Sequence, residues 1–132
     1  VFAAEAMPPG RKVDGLVLLS ASLSSTYDLT KALARCRNGI VNFYNTADAA
    51  LLGVGTIIMG NVDGVRGPSA GLRGFTRSFP GLYGVRLTSG MTQGELDAHG
   101  STTRPDFVAG HVSPWILADG WPASGQRVAL RP

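Results

Sequence analysis

Two side chains in this sequence have the type and setting that hydrolytic chemistry asks for: Asp48 and His99. Asp48 comes four residues after Tyr44, just past the apolar run Ile40-Val41-Asn42-Phe43-Tyr44. A carboxylate there can orient a histidine, hold its tautomer and stabilise the imidazolium. The competing reading is an N-cap for a following short helix, a place aspartate favours. His99 stands in Asp97-Ala98-His99-Gly100-Ser101, expected to be a loop ahead of the last helix. Imidazole titrates near neutrality and is the usual general base for a serine hydroxyl, although a lone loop histidine is more often surface decoration. The other histidine, His111, shares a helical face with Phe107 and Trp115 and reads as a core or boundary residue.

The nucleophile is harder to find. Gly67-Pro68-Ser69-Ala70-Gly71 formally matches the G-x-S-x-G elbow, in which a buried strand runs straight into a strained serine. What precedes it, Asn61 to Arg66, is not a core strand, and Ser69 follows Asp48 although the order in such enzymes is serine, acid, histidine. Gly53-Val54-Gly55-Thr56 invites a dinucleotide-loop reading, but position 58 is Ile58 and no strand leads into it. A single cysteine, Cys36, excludes an internal disulfide framework and a cysteine metal cluster, and two histidines do not make a His-rich metal site. No cofactor or metal is expected. Trp115 and Trp121 read as packing partners.

These residues need elements to position them. Pro8-Pro9-Gly10 stops Val1–Met7, which reads as the last turns of a helix. With no initiator Met, charged n-region or signal h-region, the N-terminal half of the domain is expected to precede it. Leu16 to Leu19 suits a parallel strand buried on both faces. Ser25-x-x-Asp28 then looks like a cap for a helix of about three turns carrying Leu29, Ala32, Leu33 and Cys36, ended by Asn38-Gly39. Ile40 to Tyr44 is a second strand, which completes a right-handed βαβ unit. A short helix is expected near Ala47 to Leu52, an apolar patch at Ile57-Ile58-Met59, and a third strand over Leu82 to Thr88. Thr103 should cap a last helix with Pro105 in its first turn and a kink at Pro114. The pattern is α/β with a mainly parallel sheet, over residues 1–118, with 119–132 a polar tail. Chemistry in such sheets sits beyond the carboxyl ends of the strands. That points to Ser20–Asp28, Asn45–Asp48 and the segment of His99.

Composition is that of a globular domain, with 44% apolar and 16% charged residues and no run of about 18 apolar residues to span a bilayer. The 18 glycines exceed the roughly 7% background and predict many tight turns. Net charge is +3, with basic residues scattered along the sequence, so no nucleic-acid partner is expected. The compartment is left open.

Val13-Asp14-Gly15-Leu16-Val17-Leu18-Leu19-Ser20-Ala21-Ser22-Leu23-Ser24, followed by Tyr27-Asp28-Leu29, resembles the strand after the nucleophile helix in lipase/esterase-like α/β hydrolases. Gly39 to Asp48 with Leu52 to Thr56 is similar to their strand-plus-acid segment, and His99 with Pro105, Phe107, Val108, Pro114 and Trp115 resembles their histidine loop and closing helix. The aromatic expected three positions after the base is Thr102 here, and a helix tyrosine is His111. The resemblance implies the C-terminal half of an α/β-hydrolase fold, with Asp48 as triad acid, His99 as base, a serine upstream of Val1, and a small-molecule ester as substrate. The alternatives are a non-catalytic binding protein on the same scaffold, and a small hydrolase using Ser69.

Overall fold

The computed structural model describes residues 1–46, 60–93 and 98–122. Asp48, the glycine loop Gly53 to Thr56, the helix expected near 47–52 and the apolar patch at 57–59 lie outside the described residues. Three parallel strands, β1 (Val13–Leu19), β2 (Cys36–Tyr44) and β3 (Leu82–Arg86), stand in the order β1-β2-β3. Short helices flank them: α1 (Phe2–Glu5) ahead of β1, α2 (Thr30–Leu33) between β1 and β2, and α3 (Ala70–Arg73) between β2 and β3. After β3 come α4 (Ala98–Thr102) and α5 (Pro105–Phe107), a π-turn over Val108–Val112, and α6 (Ser113–Leu117). This is a mixed α/β arrangement.

Strand alternation sends β2 residues to opposite faces. On one face Ile40 joins Leu29, Ala32 and Cys36 in a cluster against which Val1, Leu16, Leu18, Phe79 and Leu82 pack. On the other, Val41 and Phe43 meet Tyr83, Val85, Leu87, Phe107, Val112 and Trp115. The central strand is therefore covered on both sides, and Ile40, Val41 and Phe43 have no exposed surface.

The second face is closed by a helical run antiparallel to the strands. Phe107 meets Phe43 with ring centroids 5.9 Å apart, level with Leu19 and Val85 near the strands' carboxyl ends. Trp115 meets Tyr83 at 5.5 Å, toward the start of β3. The chain then folds Trp121 over the start of β1, where a Cβ added to Gly15 would lie 2.7 Å from its indole. The Trp121 indole N–H donates to Trp115 O at 2.8 Å, and Tyr83 OH donates to Pro122 O. The expected polar tail thus begins by packing on the core. Pro114 lacks the N–H that would reach Gly110, and the helix answers with the wider π-turn immediately before it.

Several elements differ from expectation. The helix after β1 is one turn, because Arg35 O accepts the Val13 N–H at 2.9 Å and Cys36 already pairs with Val13. Asn38-Gly39 is consequently not a helix end: it lies inside β2, where the register slips between Val13 and Gly15 and Gly39 has φ 117°. Leu29 stands at the N-cap of α2, and Asp28 just before it accepts the Thr30 N–H at 2.9 Å, while the Ser25 N–H donates to Pro68 O. Arg104, in extended conformation, precedes Pro105 at the last helix; Thr103 instead donates its hydroxyl to Gly100 O at 2.9 Å. Leu16 to Leu19 are only half-buried, since β1 is an edge strand among the described residues.

Tyr27 ties α1 to the segment before α2, donating to Glu5 at 2.9 and 3.1 Å. Burial first, then the Glu5 carboxylate, push its phenol from 10.0 up to about 12. The folded chain therefore holds this proton more tightly than the unfolded one. The resulting stabilisation is intact below pH 10 and is lost as pH rises through about 12. Denaturant midpoints measured across that window should fall for the native chain, and less steeply for Tyr27→Phe.

Candidate functional site

All three strands point the same way, so their carboxyl ends form one rim. At the end of β1 the Ser20 N–H donates to Phe43 O at 3.2 Å, and at the end of β2 the Leu87 N–H donates to Tyr44 O at 2.8 Å. Ser20 has φ 48°, a left-handed conformation unusual for a residue with a side chain. Its Oγ is buried without a partner among the described residues. Strain of this kind collects where surrounding structure over-determines the backbone. Here the cause is visible in α3.

That helix is wedged between the ends of β1 and β2. Gly71 donates its N–H to Ala21 O at 2.8 Å and accepts the Asn45 N–H at 2.9 Å. Asn42, with 1% of its surface exposed, donates from Nδ2 to Ala70 O at 2.9 Å. A Cβ on Gly71 would lie 2.4 Å from the Ser20 carbonyl carbon and 2.6 Å from Ala21 N. Only glycine permits this approach. Gly71→Ala should cost about 1–3 kcal/mol, the usual range for overpacking, seen as a lower thermal midpoint.

Ser69 sits at the start of the same helix. It is buried, bridges antiparallel to Ser24, and has φ −76° and ψ 159°, ordinary extended backbone. The segment before it is a loop, not a strand. In that loop Asn61 donates to Val65 O and Gly67 O at 2.8 and 3.0 Å. Asp63 accepts the Ser24 N–H at 3.2 Å and its hydroxyl at 2.5 Å. The Asn61 bonds close the loop on itself, and the Asp63 bonds fasten it onto the chain leaving β1. The Ser24–Asp63 pair lacks a base between hydroxyl and carboxylate, so it works as a clamp.

The segment of His99 is helical, not a loop: Ala98–Thr102 form α4. Only the backbone of His99 belongs to the described residues. Ser101 and Thr102 are buried, at 1% and 2% exposure, and anchor the helix from within. Its flanks are joined by Asp106, which accepts Gln93 Nε2 at 2.7 Å and Arg104 Nη2 at 2.7 Å. The Arg104 guanidinium holds the Asp106 carboxyl below its ordinary value. Five residues after α4, Phe107 meets Phe43 near the carboxyl ends of the strands.

No family model, curated protein or solved structure matches the chain.

His111 lies in the π-turn, half-buried, with its ring 5.0 Å from that of Phe107. Trp115 and Trp121 stack edge-on at 5.0 Å. Both arrangements are packing. Cys36 donates its thiol to Ala32 O at 3.3 Å, and burial pushes its pKa up, which makes it a poor nucleophile. Among the described residues no group of three acidic, histidine or cysteine side chains could hold a metal, and no helix is long and apolar enough to cross a membrane.

Sequence reasoning missed the strain at Ser20, the Asn42–Ala70 bond and the Ser24–Asp63 clamp. Asp63-Gly64 carried a turn signal. Nothing in the types or spacing of Ser20 and Gly71 announced that they would touch.

Proposed function

We propose that this chain supplies the acid, Asp48, and the base, His99, of a serine-hydrolase triad acting on a small ester, as the C-terminal half of a fold like that of the lipase/esterase-like α/β hydrolases it resembles in sequence. One feature supports the reading: Phe107, five residues after α4, packs on Phe43 near the carboxyl ends of the strands, the rim beyond which Asp48 follows β2 in sequence. Acid after the second strand and base after the third also follow the chain order such triads use. Ser69 fits the nucleophile poorly, being unstrained and fed by a loop.

The serine in this reading precedes Val1. Its hydroxyl oxygen attacks the ester carbonyl while His99 accepts the proton; the imidazolium then protonates the departing alcohol. A water repeats the cycle on the acyl-enzyme. Asp48 keeps the imidazole oriented and balances its transient charge. Backbone N–H groups, one directly after the serine, stabilise the oxyanion.

The test is turnover of short p-nitrophenyl esters by the polypeptide extended upstream. Ser69→Ala should leave kcat/KM unchanged. Loss of turnover in that variant would move the nucleophile to Ser69.

A further inference from the structure

The sequence around His99 has little of its own to hold it in place. Between Gln93 and Arg104 it offers two apolar side chains, Leu96 and Ala98, and two glycines, Gly94 and Gly100. Glycine adds backbone freedom, and so few apolar groups leave little burial to offset the entropy lost on ordering the chain. A general base nevertheless has to stand within about 0.5 Å of its working position.

Both flanks of this stretch are fixed. On the entry side the Met91 and Thr92 N–H groups donate to Thr88 O at 3.0 and 3.1 Å. Met91 packs against the core and Thr92 is buried. Gln93 follows with φ 53°. On the exit side Arg104 is extended and leads through Pro105 to Phe107, buried against Phe43.

One carboxylate joins the flanks. Asp106 Oδ2 accepts Gln93 Nε2 and Arg104 Nη2, each at 2.7 Å, and its Oδ1 accepts Arg104 Nε at 3.0 Å. The paired Arg104 bonds are the planar fork that fixes direction as well as distance. The Arg104 and Asp106 side chains are 28% and 52% exposed, and ion pairs so open to water add little to global stability. Their effect is therefore local: the two ends of residues 94–103 are drawn to the same oxygen.

We infer that Asp106 is a positioning residue for His99: its carboxylate fastens Gln93 to Arg104 and so sets where α4, and His99 with it, stands. The role of His99 as a base rests on the hydrolase reading; the closure of its segment is tested apart from it.

The test uses residues 1–132 and is read by NMR. In Asp106→Ala the amides of Ala98 to Thr102 should exchange at least about tenfold faster, while those of Ile40, Val41 and Phe43 keep their native rates. The Cε1–H signal of the His99 ring, which reports its surroundings, should shift in the same variant. Gln93→Ala, which breaks the entry-side bond and leaves Asp106 in place, should reproduce the exchange effect. Asp106→Asn keeps an accepting oxygen but no charge toward Arg104, and should fall between native and alanine. Equal acceleration in the strands would make Asp106 a global stabiliser and overturn the inference. Native exchange at 98–102, or an unmoved His99 signal, would overturn it as well. None of these readouts involves ester turnover, so a failure of the hydrolase reading, which His99→Ala reports, stays distinguishable.

Discussion

On the proposed triad, exchanging His99 for alanine in a polypeptide that includes the proposed serine is expected to lower kcat for short p-nitrophenyl esters by a factor on the order of 10⁴–10⁶, the scale seen when a triad loses its base. KM should change little, because the imidazole acts on a proton in flight rather than on bound ester. Asp48→Asn should cost about 10⁴-fold, since an amide can still bond to imidazole but favours the wrong tautomer and offers no charge to the imidazolium. The double variant should be scarcely worse than His99→Ala, because the carboxylate acts only through the ring. Independent, multiplying losses would mean the two residues do not work together. A loss below about tenfold for His99→Ala would put it outside the range of general-base catalysis altogether.

Gly39→Ala is expected to be the most damaging of the structural substitutions. Gly39 has φ 117°, where an L side chain is strained, and an added Cβ would sit 2.1 Å from Gly81 O. That same oxygen accepts the Ile40 N–H at 2.8 Å, at the start of the β2–β3 ladder. Alanine must therefore displace backbone, break that bond and distort the bulge that sets the β1–β2 register. The combined effect should reach about 4 kcal/mol or more, at the extreme of single substitutions and comparable with the whole stability of a small domain. Chemical denaturation measures it; a midpoint shift equivalent to less than about 1 kcal/mol would show that β2 and β3 separate here without strain.

The strands were legible because their signal is compositional. Ile40 to Tyr44 reads as buried, and Ile40, Val41 and Phe43 are fully buried; Leu82 to Thr88 contains β3. Pro105 and Pro114 likewise marked the start and the break of the closing helices, because a missing N–H acts locally. Errors arose where distant backbone decided the matter. Cys36 to Gly39 continue a helical pattern, yet Val13 pairs with Cys36 and draws the segment into β2. Asn38-Gly39 carried a helix-stop signal, but the positive φ of Gly39 serves a bulge beside Gly81. At the rim, strand polarity was readable and the wedge was not. Gly71 belonged to a motif that suggested a nucleophile, and it instead allows α3 to press against Ser20. Such contacts join residues some fifty positions apart, and no local rule of propensity or spacing encodes them.

One distance decides the proposed chemistry: that between the Asp48 carboxylate and the His99 imidazole in an experimental structure of the extended polypeptide. A carboxylate oxygen within about 2.6–3.2 Å of a ring nitrogen, both groups facing the rim formed by Ser20, Asn45 and Leu87, is the expected result. Side chains on opposite rims, or held apart by intervening packed residues, would contradict it.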